Sequence, residues 1–86
     1  MNTTTKITRK TAAQDRRTIC RNFRDAAHRS GVRPIALMKA AGVKPLRMLR
    51  AWLGQQIFVP DMFRLARELD MSVDDMFAGT RAKETR

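Results

Sequence analysis

Cysteine and histidine are almost absent from this sequence, which contains one residue of each among 86. A single cysteine excludes a disulfide within the chain, and no pair of residues has the spacing of metal ligands. We therefore expect Cys20 to be a small residue of the core or of its boundary. The sequence also lacks a cluster of His, Cys, Asp and Glu and a glycine-rich phosphate loop. It predicts no enzyme, no catalytic residue, no metal and no cofactor, and it leaves no room for a domain that binds a small-molecule effector.

Long apolar runs are missing as well. The N-terminal residues are rich in Thr and Lys, which predicts neither a signal peptide nor a transmembrane segment and favours a cytoplasmic protein. There is no repeat and no strand-like alternation of apolar and polar residues, so the predicted fold is all-α with five helices. A chain of this length forms one domain with a marginal core, which oligomerisation would stabilise.

Acidic residues are scarce, and the net charge is +10. Residues 1–54 carry thirteen Lys and Arg against two Asp and Glu, whereas residues 55–77 carry two against five. The positive charge is thus concentrated in the N-terminal two-thirds of the chain. Such a field on a small domain is typical of a nucleic-acid binder, although a membrane surface or an acidic protein would also attract it.

Residues 31–54, reading GVRPIALMKAAGVKPLRMLRAWLG, predict two short helices joined by a tight turn. Pro34 and Pro45 suit the first position of a helix, where a missing N–H costs nothing. Between them, Gly42 can adopt the positive φ that ends a helix, after which Val43 can enter the core. A glycine-containing turn between two short helices is the sequence form of a helix-turn-helix, whose second helix enters a DNA groove.

Helical periodicity predicts which side of that second helix is free. Arg47 and Arg50 fall on the outward side, with Leu46 at the border. The broad opposite side carries the remaining large and small apolar residues, namely Met48, Leu49, Ala51, Trp52 and Leu53. Two arginines alone more often only solvate a surface helix, but the basic context favours a DNA-binding face.

The segment before the motif predicts a mobile basic arm and one long helix. Residues 1–10 are polar and aperiodic, and such an arm either solubilises the domain or follows DNA phosphates. Its basic residues are Lys6, Arg9 and Lys10. Thr11 and Gln14 fit a capping box, so the helix is expected from about Ala12 to Arg29.

The segment after the motif predicts two further helices. Residues 55–60 form an unusually apolar connector, whose Ile57 and Phe58 are expected either in the core or in an intermolecular contact. A helix should follow from Asp61 to Leu69, and a last short helix should begin after a capping box made by Ser72 and Asp75. The domain is expected to span residues 11–79, followed by a frayed tail at 80–86.

Residues from about Ile19 to Phe77 resemble the DNA-binding domain of phage repressors and Cro, the xenobiotic-response-element family. The resemblance rests on Gly31-Val32, the turn Gly42-Val43, Gly54, and the stretch MFRLARELDMSVDDMF at 62–77. It implies a five-helix repressor/Cro-like helix-turn-helix domain with its recognition helix at about 45–53. The expected function is that of a transcriptional regulator, a repressor, which binds an inverted-repeat operator in double-stranded DNA as a homodimer.

Matching positions give the expected site residues. Arginine can pair with guanine, and a leucine can meet a thymine methyl group. The expected base contacts are Lys44, Leu46, Arg47 and Arg50. The expected phosphate contacts are Arg33, Lys39 and Gln55. For the homodimer surface we expect Ile57, Phe58, Val59 and Phe77, which lie away from the basic region of the sequence.

Departures from the family pattern keep a second function open. Arg33 and Pro34 stand where members often have a capping residue and a Gln, and Leu49 and Trp52 replace polar residues. An outer helix this apolar also suits a protein-interaction module, anti-activator or antitoxin-like, that binds another regulator through Leu46, Leu49, Trp52 and Leu53. Whether Leu49 and Leu53 are buried within the monomer distinguishes the two functions.

Overall fold

Five helices make up the part of the protein that the structure, a computed structural model, describes, namely residues 9–81. No strand occurs within these residues, so the predicted all-α class is confirmed for them. In chain order the helices are α1 (Arg9–Arg29), α2 (Pro34–Ala41), α3 (Pro45–Trp52), α4 (Val59–Glu68) and α5 (Val73–Met76).

Helix α1 begins earlier than predicted. Its first residue is Arg9 rather than one near Ala12, so Thr11 lies inside the helix and the predicted capping box there is wrong. Of the predicted arm, Lys6 lies outside the described residues, whereas Arg9 and Lys10 belong to the first turn of α1. The basic segment therefore continues directly into the longest helix.

The two short helices and the tight turn predicted for the middle of the chain are present. Pro34 and Pro45 are the first residues of α2 and α3. Gly42 ends α2 in the left-handed region at φ 75°, where its N–H donates to the carbonyl of Met38. Val43 then enters the core as expected. The turn is sharp because a residue without Cβ adopts this φ at no steric cost.

The core lies where α1 and α4 meet the shorter helices. Helix α2 packs against α4, and α1 packs against α3 and α5. One apolar stripe of α1 is buried, and so are Leu65 and Met76 on the last two helices. The stripe comprises Ile19, Phe23, Ala26 and Ala27.

Cys20 belongs to this interior, as predicted, and is almost fully buried. Burial raises the pKa of its thiol above the usual value, against the opposing effect of the Arg24 and Arg16 charges. The thiol therefore stays protonated near neutral pH and is a poor nucleophile. It acts as a small apolar side chain.

The last two helices differ from the prediction at one boundary and agree at the other. Helix α4 begins at Val59, two positions before the expected Asp61. Phe58 precedes it and makes no side-chain capping bond. Before α5 the predicted capping box is present: the Asp75 N–H donates to Ser72 Oγ, and the Ser72 N–H donates to Asp75 Oδ2, both at 3.0 Å.

The C-terminal end of the domain is fastened to α1. Asn22 Nδ2 donates to the carbonyls of Met76 at 3.0 Å and Ala78 at 2.9 Å. Thr80 is fully buried, and the Arg81 N–H donates to Asp15 Oδ1 at 2.9 Å. The frayed tail expected from residue 80 is therefore wrong for its first two residues. Among the described helices, none combines the length and apolar character needed to cross a membrane.

Replacing a leucine should test this core. Leu65→Ala is expected to lower the free energy of unfolding by about 2–5 kcal/mol, because it removes a fully buried side chain and leaves a cavity. Leu46→Ala, at an exposed position of α3, is the matched control and should change it by less than about 0.5 kcal/mol. Urea unfolding followed by far-ultraviolet circular dichroism measures both. Equal losses in the two variants would contradict this packing.

Candidate nucleic-acid interface

Helix α3 is held at its C-terminal end by side chains of α1. Arg24 Nη1 donates to the Trp52 carbonyl at 2.7 Å, and Arg16 Nε donates to the Gly54 carbonyl at 3.1 Å. The last carbonyls of a helix lack intrahelical partners, and positive charge is favourable at that end of the helix dipole. These two arginines therefore fix the direction in which α3 projects. Helical periodicity predicts where these arginines lie on α1 but not which carbonyls they contact.

The N-terminal ends of α2 and α3 have no such support. Arg33 and Lys44 precede them in extended conformation, are exposed, and make no side-chain capping bond. Because Pro34 and Pro45 both line one groove on the surface, the two ends are neighbours. Each end therefore combines unpaired backbone N–H groups, the positive end of a dipole and a cationic side chain, which is an unfavourable combination without an anion.

Arg47 is not the free outward residue that periodicity predicts. Its Nε donates to Asp61 Oδ2 at 2.9 Å, and its guanidinium carbon lies 4.3 Å from the centre of the Phe58 ring. The side chain is only 33% exposed. The expectation that Arg47 projects away from the domain is therefore wrong, because an ion pair and a cation–π contact turn it toward the start of α4.

The partner of Arg47, Asp61, is a charged residue of the interior that sequence reasoning missed. It is 2% exposed and lies in the first turn of α4, where a carboxylate is favourable to the dipole. Arg64 Nη1 lies 3.5 Å from Oδ1, an ion pair that does not satisfy that oxygen with a hydrogen bond. The only sequence signal was an acidic residue next to Pro60 at a helix start.

The outermost face of α3 is apolar. Leu46, Leu49 and Leu53 are 57%, 54% and 56% exposed. Of the side predicted to point inward, Met48 and Ala51 are buried and Trp52 is half-buried, so the prediction is wrong for Leu49 and Leu53. Leu46 and Leu49 lie on one side of α3, and Leu53, the residue that directly follows the helix, continues that side. We call these three leucines the leucine face.

The other residues expected to contact DNA are accessible. Lys44 and Arg50 are exposed on α3, where Arg50 Nη1 lies 3.4 Å from Gln56 Oε1. Lys39 is exposed in the last turn of α2, and Gln55 is exposed just after α3. Lys39, Lys44 and Gln55 are therefore accessible to a ligand, in addition to Arg33, whereas Arg50 is exposed but donates to Gln56.

The residues expected at a dimer surface separate into two groups. Ile57 and Phe77 are half-buried and pack against the core of their own chain. Phe58 and Val59 are exposed. Phe63 is exposed one turn beyond Val59 on the same side of α4. Phe58, Val59 and Phe63 form what we call the α4 patch.

Comparison with known proteins adds no relative. No family model, curated protein or solved structure matches this chain. The resemblance to repressors and Cro therefore stays a prediction, and function has to be argued from the interface itself.

A double-mutant cycle should measure the ion pair between Arg47 and Asp61. Arg47→Met leaves a buried carboxylate without its hydrogen-bond donor, so we expect a loss of about 1–3 kcal/mol in the free energy of unfolding. Asp61→Asn in the Arg47→Met background should then cost less than it does alone. Arg50→Met is the control and should change stability by less than about 0.5 kcal/mol. Strictly additive losses would contradict the pairing.

Proposed function

We propose that the protein is a DNA-binding transcriptional regulator of the repressor/Cro-like type, with α3 as its recognition helix. The observation that carries this proposal is the pair of uncapped, basic N-terminal ends of α2 and α3 on either side of one groove. No acidic residue occurs in the sequence between Asp25 and Asp61. An anionic ligand is therefore attracted to this surface without local repulsion.

Phosphate groups of a DNA backbone supply what these helix ends lack. A helix N-terminus carries a partial charge of about +0.5 and several free N–H donors, which makes it an anion-binding site. Arg33 and Lys44 add a full positive charge at each end. Lys39 and Gln55 are exposed at the opposite ends of the two helices and extend the contact along a backbone. These contacts position the domain but carry no sequence information.

Sequence readout is assigned to the residues that α3 exposes. Arg50 can pair with guanine O6 and N7, Leu46 can contact a thymine methyl group, and Lys44 reaches a base edge from the start of the helix. Arg47 is also proposed to contact a base, but it extends less far from α3 because its Nε donates to Asp61. A few such contacts at about 1–3 kcal/mol each fall short of the specificity of a regulator.

Two copies acting together would make up that shortfall, so we propose a homodimer on an inverted repeat, acting as a repressor. Half-site centres would then lie about one helical turn, roughly 10 base pairs, apart or at a multiple of it. The α4 patch offers the contact surface, because Ile57 and Phe77 are largely used by the core of the monomer. Exposed apolar side chains at the start of α4 suit an isologous contact.

The leucine face favours a second candidate function, a protein-interaction module on the same scaffold. A helix that only reads DNA has no need of three large apolar side chains that are more than half exposed. Burying them against another protein would remove substantial apolar surface from water, at about 25 cal/mol per Å². The same leucines could instead contact thymine methyl groups, so both functions use one surface.

Alanine substitutions should separate positioning contacts from base contacts. Arg33→Ala is expected to weaken binding to all DNA duplexes alike and to reduce the slope of log K against log salt by about 0.9, since one phosphate contact is lost. Arg50→Ala should instead cost about 1–3 kcal/mol on the preferred sequence and relax base preference. Arg67→Ala, an exposed arginine on α4, is the control.

Fluorescence-anisotropy titrations at several salt concentrations, on sites obtained by selection from random duplexes, measure these effects. Binding of duplex DNA that does not change with salt, or no binding at low salt, would contradict the proposed function.

The homodimer is tested by Phe63→Asp, which places a charge in the α4 patch. Analytical ultracentrifugation should find the wild type as a dimer at high concentration and the variant as a monomer with unchanged helical content. Val73→Asp is the matched control, since Val73 is similarly exposed on α5 outside the patch. Phe63 is preferable to Phe58 here because Phe58 also supports Arg47. A wild type that stays monomeric, and that occupies its operator as one copy, would contradict the dimer.

A further inference from the structure

An open apolar groove separates the outer sides of α2 and α3. Its volume is about 340 Å³, and no charged side chain lines it. Ile35 on α2 and Leu49 on α3, both more than half exposed, form its walls. The full lining consists of Pro34, Ile35, Met38, Pro45, Met48, Leu49 and Trp52.

The groove continues into the leucine face, so the apolar surface is wider than the groove alone. Leu46 and Leu53 stand beside Leu49 on the same side of α3, each more than half exposed. A contiguous exposed apolar surface on a small domain marks an interaction site, whereas single exposed leucines need no explanation. A concave, dry lining also suits inserted side chains better than the flat surface of a bilayer.

Charge decides what kind of partner fits. Arg33 and Lys44 immediately precede the two prolines of the groove, and Arg50 follows Leu49 on α3. The charged residues next to the groove lining on α2 and α3 are therefore basic, because no acidic residue occurs between Asp25 and Asp61 in the sequence. Two copies of this chain would repel each other if they met through this face, whereas a partner with acidic groups beside its apolar side chains would be attracted.

We propose that the groove binds an amphipathic helix of an acidic partner protein. Apolar side chains spaced at i, i+3 and i+4 on that helix enter the groove, which is the usual way an amphipathic helix is recognised. Aspartate and glutamate residues along its flanks pair with Arg33, Lys44 and Arg50. This inference rests on the second candidate function and holds whether or not the protein binds DNA.

The test uses a synthetic helical peptide with leucines along one side and glutamates elsewhere, labelled with fluorescein. The control peptide has the same composition with its leucines distributed around the helix. Trp52 is the only tryptophan of the chain and lines the groove, so its emission reports on occupancy directly. We expect the amphipathic peptide to shift this emission to shorter wavelength and to bind at least about tenfold more tightly than the control peptide.

Variants locate the binding site. Leu49→Glu and Ile35→Glu should each weaken peptide binding by about tenfold or more, because they bring a like charge into an apolar contact. Val73→Glu is the control, since Val73 is 55% exposed against 54% for Leu49 and lies on α5. Circular dichroism establishes that each variant is folded. Weaker peptide binding by both groove variants, together with unchanged binding by Val73→Glu, supports the proposal.

Other outcomes would overturn it. Equal binding of the two peptides would mean adsorption by charge alone. A shift of Trp52 emission on vesicles of phosphatidylglycerol, without a shift on the peptide, would mean a lipid surface instead. A parallel titration with duplex DNA keeps the two questions apart: DNA binding without peptide discrimination rejects the groove partner only, and peptide discrimination without DNA binding rejects the proposed regulator only.

Discussion

The carboxylate of Asp61 constrains how α3 packs against α4, because it is ionisable and almost completely buried. Removing a charged group from water costs several kcal/mol unless a partner compensates for it. Arg47 supplies that partner from α3, and Phe58 stacks beneath the guanidinium. One buried charge thus connects α3 to the beginning of α4. The arginines of α1 hold the other end of α3, so both ends are fixed from different sides.

This arrangement determines which surface α3 presents. With Arg47 turned toward α4, the outward side of the helix carries the leucine face and Arg50 rather than two arginines. The positive charge of this surface lies mainly at the starts of α2 and α3, at Arg33 and Lys44. A surface with cationic edges and an apolar centre is suited both to a DNA groove lined by phosphates and to an acidic amphipathic helix. Two such ligands would compete directly, because they would contact the same side chains.

Local signals were enough to predict the framework of the fold. Proline at a helix start, glycine at φ 75° and the Ser72–Asp75 capping box each act through their own neighbours, so the helices of the motif and the start of α5 follow from the sequence. The predictions are wrong where contacts with residues distant in the sequence determine the position of a side chain. Arg47 and Asp61 are 14 positions apart, and a pair at that separation has no periodic signature. Leu49 and Leu53 were misplaced because α3 is one eight-residue helix that buries a narrower side than its apolar composition suggests.

The position of Arg47 above Phe58 has a thermodynamic consequence. The guanidinium belongs to α3, while the ring beneath it belongs to the α4 patch. If a ligand draws Arg47 outward, the contacts of Arg47 with the Phe58 ring and with Asp61 are lost. The surface of the α4 patch changes at the same time. By linkage, association through that patch must change the affinity for the ligand by the same factor as the ligand changes association. In the proposed dimer, the Arg47 side chain would therefore couple ligand binding at α3 to self-association.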